Sequence, residues 1–141
     1  MLDYKVIVRE SKRLNREVKL YIHLPASYNQ CEKQYPVLYM HDGEIIFNDF
    51  DNDESEVGIL EKYSHQTNGK DVILVGIGSG EGTERNNELV PFQITRKNGT
   101  VFGGKTDAYL KCIVEELMPF INHEYRTKTS PQDTGMLGIS L

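Results

Sequence analysis

The sequence predicts an open α/β sheet with helices on both faces, on three observations. "DYKVIVRE" and "REVKLYIHLP" alternate apolar and polar residues over about seven positions each, the pattern of half-buried strands. "PVLYMHD" and "DVILVGIG" are instead nearly continuous apolar runs, as strands covered on both faces of a parallel sheet require. Stretches of helical spacing lie between such strands and supply the right-handed crossovers that parallel strands need.

In chain order, the polar "SKRLN" joins the first two strands into an antiparallel hairpin over about residues 3–24. The parallel part follows over about residues 36–141, beginning with "PVLYMHD". Residues 54–66 place Val57, Leu60 and Tyr63 at helical spacing, against the helix-weakening Gly58. After "DVILVGIG" a long loop leads to the strongest helical pattern, from Asp107 to Tyr125. There Tyr109, Cys112, Ile113, Leu117, Phe120 and Ile121 form one apolar stripe, with Lys111, Glu115 and Glu116 on the wet side. Thr106 is placed to cap this helix, and Pro119 inside it is expected to kink or split it. "TGMLGIS" is the last strand, shortened by Gly135 and Gly138.

A chain of 141 residues with 38% hydrophobic and 26% charged residues suits one folded domain. Its net charge of −5 argues against nucleic acid and anionic lipid as partners. No apolar run reaches the roughly 18–20 residues that cross a bilayer, and "MLDYKVIVRESKR" lacks the pattern of a secretory leader, so no membrane association and a cytoplasmic location are expected. Cys31 and Cys112 lack metal-like spacing and are both read as packing thiols.

In such a sheet, ligands collect beyond the carboxyl ends of the parallel strands. Those ends are "MHDGE", "GIGSGEGTERNNEL" and "GISL". The first and last offer what acyl transfer needs: backbone N–H groups at a glycine turn to hold an oxyanion, and a hydroxyl on a tight turn after a strand. A bare Gly-x-Ser is common, and its bland reading is a small residue finishing a buried strand. The position of Gly138-Ile139-Ser140 after a strand, with His-Asp-Gly ending another, favours a nucleophile.

Two other motifs fail on inspection. In "GIGSGEGTER" the dinucleotide fingerprint would need glycine where Glu81 or Thr83 stands, so a mobile loop near the site is favoured over nucleotide binding. Further along, Arg85 and Glu88 could line a substrate loop, with a pair between them the preferred reading. "DFDNDESEVGIL" carries Asp49, Asp51 and Asp53 like a calcium loop, but has Glu54 at the sixth position and Leu60 at the twelfth; a solvated acidic loop and no metal are expected.

"YIHLPASYNQCEKQYPVLYMHDGEIIF", "DVILVGI", "ERNNELVPF", "GGKTDAYLKCIVEELMPFINHEYRT" and "TGMLGISL" together resemble the esterases of the esterase D and enterochelin esterase group, which are α/β-hydrolases. The resemblance covers nearly the whole chain. It implies a three-layer α/β-hydrolase-type sheet, here its N-terminal half, in a single incomplete domain. It further implies a serine carboxylic ester hydrolase that acts on a small-molecule ester through an acyl-enzyme, with no metal or organic cofactor. Ser140 then stands at the nucleophile position. The N–H of Leu141 would be one oxyanion donor, and that of Gly43 or its neighbour Glu44 the other.

The departure from the family is that its triad runs Ser, acid, His along the chain, whereas only Leu141 follows Ser140. His41 is read as ordering the glycine turn, and His23, His65 and His123 as solvated or structural, so none replaces the base. The chain therefore reads as truncated directly after the nucleophile, with little or no hydrolysis expected from these 141 residues. The alternative is a non-catalytic fragment that forms a homo-oligomer through an exposed outer strand at 134–140.

Overall fold

A computed structural model describes residues 3–48 and 71–139. The alternating stretches form β1 (Lys5–Ser11) and β2 (Arg16–His23), paired antiparallel with Lys5 opposite Ile22 and Ser11 opposite Arg16. The apolar runs form β3 (Val37–His41) and β4 (Ile73–Ile77), which pair in parallel. Every residue of β4 is buried, as a strand covered on both faces must be. β7 (Thr134–Leu137) adds to β3 in parallel and completes a five-stranded sheet of order β1-β2-β4-β3-β7. β1 lies at the sheet edge and is more exposed than its alternation suggests, with Val6 and Val8 about half in solvent.

Helices cover both faces, as expected. On one, Tyr39, Val75 and Ile77 pack against Tyr109, Cys112, Ile113, Leu117 and Ile121. On the other, α1 (Gly43–Asn48) lays Ile46 and Phe47 over Tyr21, Met40 and Leu74. The long helix runs as α3 (Thr106–Lys111), a π-helical segment (Cys112–Leu117) and α4 (Met118–Glu124). Pro119 therefore neither splits it nor ends it. Proline lacks an N–H and its ring collides with the carbonyl four residues back; the widened turn before it accommodates this, with the N–H of Met118 reaching the carbonyl of Ile113, five residues back.

Three expectations are corrected. Thr106 does not cap the long helix: Lys105 holds the N-cap position, and the buried Thr106 hydroxyl has no partner among the described residues. The stretch read as one long loop after β4 contains a helix, α2 (Thr83–Leu89), and a short hairpin of β5 (Ile94–Thr95) and β6 (Val101–Phe102). Cys112 is a packing residue but Cys31 is exposed, its thiol near the hydroxyl of Tyr35. The helix expected over residues 54–66 and the calcium-like loop lie outside the described residues. Among the described residues no helix is long and apolar enough to cross a membrane, and no three His, Cys, Asp or Glu side chains gather as a metal site.

Candidate active site

β3 and β4 end side by side, with His41 opposite Ile77. The chain leaves β3 through Asp42, whose φ of +54° lies in the left-handed region that Asn and Asp enter most readily among non-glycine residues. The Asp42 carbonyl accepts the N–H of Ile45 (2.9 Å) and of Ile46 (3.0 Å), which opens α1. Among the described residues no acceptor takes the N–H of Gly43 or Glu44. A Cβ on Gly76 would stand 2.7 Å from the Phe47 ring and 2.9 Å from the Cα of Gly43, so the glycine pair lets this turn lie directly on β4.

The Asp42 carboxylate is buried and gathers three donors. Arg85 of α2 meets it two-pronged, Nε to Oδ1 at 2.6 Å and Nη2 to Oδ2 at 2.8 Å, and the Ser79 hydroxyl also donates to Oδ1. The Arg85 hydrogen bond holds Asp42 below the ordinary carboxylate range, against burial, which acts the other way. Ser79 also donates its backbone N–H to the two Glu44 oxygens at 3.0 and 3.2 Å. The turns after β3 and β4 are thereby laced together. Nδ1 of His41 and the hydroxyl of Tyr109 share a hydrogen bond at 2.7 Å. Burial pushes His41 below its ordinary 6.5, with Asp42 opposing, so the ring is neutral at pH 7.

β7 runs beside β3 with Leu137 opposite Met40. The next residue, Gly138, comes against His41: a Cβ there would stand 3.1 Å from His41 Cδ2. The carboxyl ends of β3, β4 and β7 thus lie along one edge of the sheet. A cavity of about 520 Å3 adjoins this edge, lined in part by Lys19, Tyr21, Glu44, Ser79 and Glu81.

The family model described as "Putative esterase" matches residues 11–141. The chain belongs to this esterase family. This chain is 31% identical over 134 residues to the uncharacterized protein YbbA of Bacillus subtilis, a match covering 94% of this chain and 49% of that protein. Among solved structures, an IroE-like serine hydrolase from Shewanella oneidensis superposes with a TM-score of 0.68 at 30% identity, over 89% of this chain and 40% of that one. The enterobactin esterase FES from Shigella flexneri gives a TM-score of 0.68 at 17% identity, over 97% of this chain and 30% of that one. The chain spans about half the length of the curated relatives it matches. The sheet is of α/β-hydrolase type, as the resemblance implies.

Of the residues singled out from the sequence, Gly43 and Glu44 sit at the turn after β3, while Ser140 and Leu141 lie outside the described residues. Arg85 and Glu88 are on α2 but do not pair with each other. Glu88 is buried and receives Arg16 two-pronged, Nε at 2.7 Å and Nη2 at 2.8 Å, while Arg85 faces Asp42. Each carboxylate therefore takes a bidentate guanidinium, a stronger arrangement than a single contact along one helix turn. Asp42, Ser79 and Tyr109 escape sequence reasoning as members of the site. The one signal for Asp42 is an acid placed at the start of a glycine turn.

Proposed function

We propose that this chain carries the nucleophile and the oxyanion donors of a serine carboxylic ester hydrolase. The observation that carries the reading is the packing of Gly138 against His41, because it brings the end of β7 beside the His41-Asp42-Gly43 turn. Ser140 follows two residues later. In this reading Ser140 Oγ attacks the ester carbonyl, and the N–H groups of Gly43 or Glu44 and of Leu141 hold the oxyanion. The alcohol leaves with a proton, and water then releases the acid from the acyl-enzyme. In this superfamily the acid and the histidine that complete the triad follow the serine along the chain. No cofactor takes part.

The test is hydrolysis of p-nitrophenyl acetate and butyrate by the natural full-length protein and by the 141-residue chain. The full-length protein turns over and loses this with Ser140→Ala, while the 141 residues alone show little or none. Equal turnover by the parent and the Ser140→Ala variant contradicts the reading.

A second reading is self-association of these 141 residues through β7. It is favoured by the place of β7 at the end of the described sheet, with Met136 and Ile139 each nearly half exposed. Sedimentation at high concentration gives a dimer or larger species that Met136→Lys weakens; a strictly monomeric parent chain contradicts it.

A further inference from the structure

We infer that Arg85 is a positioning residue for the oxyanion donors, holding the N–H groups of Gly43 and Glu44 in place through the carboxylate of Asp42. Its catalytic meaning rests on the esterase reading above; its geometry stands without it.

The argument begins with the backbone of Asp42. At φ +54° this residue occupies a conformation that a side chain makes unfavourable, and such a conformation persists only where its surroundings determine it. Rotation about the Asp42 dihedrals would swing the next two N–H groups, those of Gly43 and Glu44. What determines the conformation is the grip on the carboxylate. Arg85 meets both oxygens at 2.6 and 2.8 Å, and a planar fork on two oxygens fixes orientation as well as distance. Ser79 adds a third donor to Oδ1 and ties the far side of the turn by giving its own N–H to the Glu44 carboxylate. The segment Asp42–Glu44 is therefore anchored at both ends to the loop and helix that follow β4.

The same geometry separates this role from substrate binding. Nε and Nη2 of Arg85, the pair that would meet a carboxylate ligand edge-on, already face Asp42. With that edge engaged, Arg85 acts on the ester through Asp42. A displacement of about 1 Å in a catalytic group lowers rates on the order of 10²-fold, so a loosened turn is expected to reduce kcat far more than it changes KM.

The test compares Arg85→Met, Arg85→Lys and Asp42→Asn with Arg126→Ala in the full-length protein. Arg126 stacks on Tyr28 and donates to the Cys31 carbonyl, away from the turn, and serves as a control for lost stability alone. The expected result is a fall in kcat of roughly 10²-fold for both Arg85 variants, with KM little changed. Affinity for an alkyl trifluoromethyl ketone, which forms a tetrahedral adduct on the serine, falls in parallel with kcat/KM. Lysine, which cannot grip both oxygens, restores little. Loss of thermal stability with kcat and ketone affinity intact overturns the inference.

A second measurement needs no catalysis. Amide hydrogen exchange at Ile45 and Ile46, whose N–H groups donate to the Asp42 carbonyl, speeds up in Arg85→Lys and not in Arg126→Ala; exchange unaltered in Arg85→Lys overturns the inference. If the parent protein hydrolyses no ester, or Ser140→Ala hydrolyses as well as the parent, the esterase reading fails while the exchange rates still decide the clamp.

Discussion

A Cβ on Gly43 would stand 2.6 Å from the carbonyl carbon of Gly76, the next-to-last residue of β4. Gly43 is not among the glycines of positive φ, so alanine there fits the helical backbone and gains up to about 1 kcal/mol of helix propensity. The contact is with backbone, which cannot give way as a flexible side chain can. Gly43→Ala is therefore predicted to destabilise, by about 1–3 kcal/mol as for an overpacked core. Urea unfolding of the parent and variant decides the sign.

The pair of Asp42 and Arg85 gives the acid limb of stability. The folded pKa of Asp42 lies below its ordinary 3.8, held there first by Arg85. Its contribution is fully present above the unfolded pKa of about 3.9 and is lost as pH falls through the lower folded value. Asp42→Asn removes this contribution. The difference in unfolding free energy between parent and variant is predicted to shrink below pH 4, about where the unfolded carboxylate titrates.

His41 acts in a higher window. Burial lowers its folded pKa beneath 6.5, so between the two values the unfolded chain binds the extra proton. Stability rises with pH wherever that holds, and so falls as pH drops from about 6.5. NMR titration is predicted to find the His41 ring changing charge below its ordinary 6.5. Tyr109→Phe removes the hydroxyl partner of Nδ1 and is expected to shift the His41 signal without moving that of His123.

Arg16 and Glu88 form the most enclosed ion pair among the described residues, with 19% and 2% of their side chains accessible. Removing one partner strands a buried charge, at a loss of about 3–5 kcal/mol. Arg16→Met is predicted to fall in that range. The double variant Arg16→Met/Glu88→Leu recovers most of the loss, because apolar replacement of a buried pair is often neutral. A thermal unfolding cycle over the four proteins measures the coupling.

What was legible in the sequence is what depends on local period. The alternation of β2, the apolar runs of β3 and β4 and the stripe from Tyr109 to Ile121 all report burial through neighbours in the chain. α2 left no such trace, because "TERNNEL" has no apolar face. That helix is held by Arg85 and Glu88, whose partners lie 43 and 72 residues away, and no local pattern names a partner at such a separation. The π-helical turn was hidden for a related reason: Pro119 announces that a hydrogen bond is missing but not how the chain makes it good. For the candidate site, His-Asp-Gly and Gly-x-Ser were visible as turns at strand ends. The clasp of Asp42 by Ser79 and Arg85 was not, since it exists only once β3 and β4 lie side by side.

The central claim is that the end of β7 delivers a nucleophile to the turn after β3. Its most direct measurement is mass spectrometry of the natural full-length protein after brief exposure to a p-nitrophenyl ester and acid quenching, with peptide mapping of any added acyl group. The account predicts one acyl group on Ser140, absent in Ser140→Ala along with ester turnover. Steady turnover with the acyl group elsewhere, or undiminished in Ser140→Ala, would contradict it.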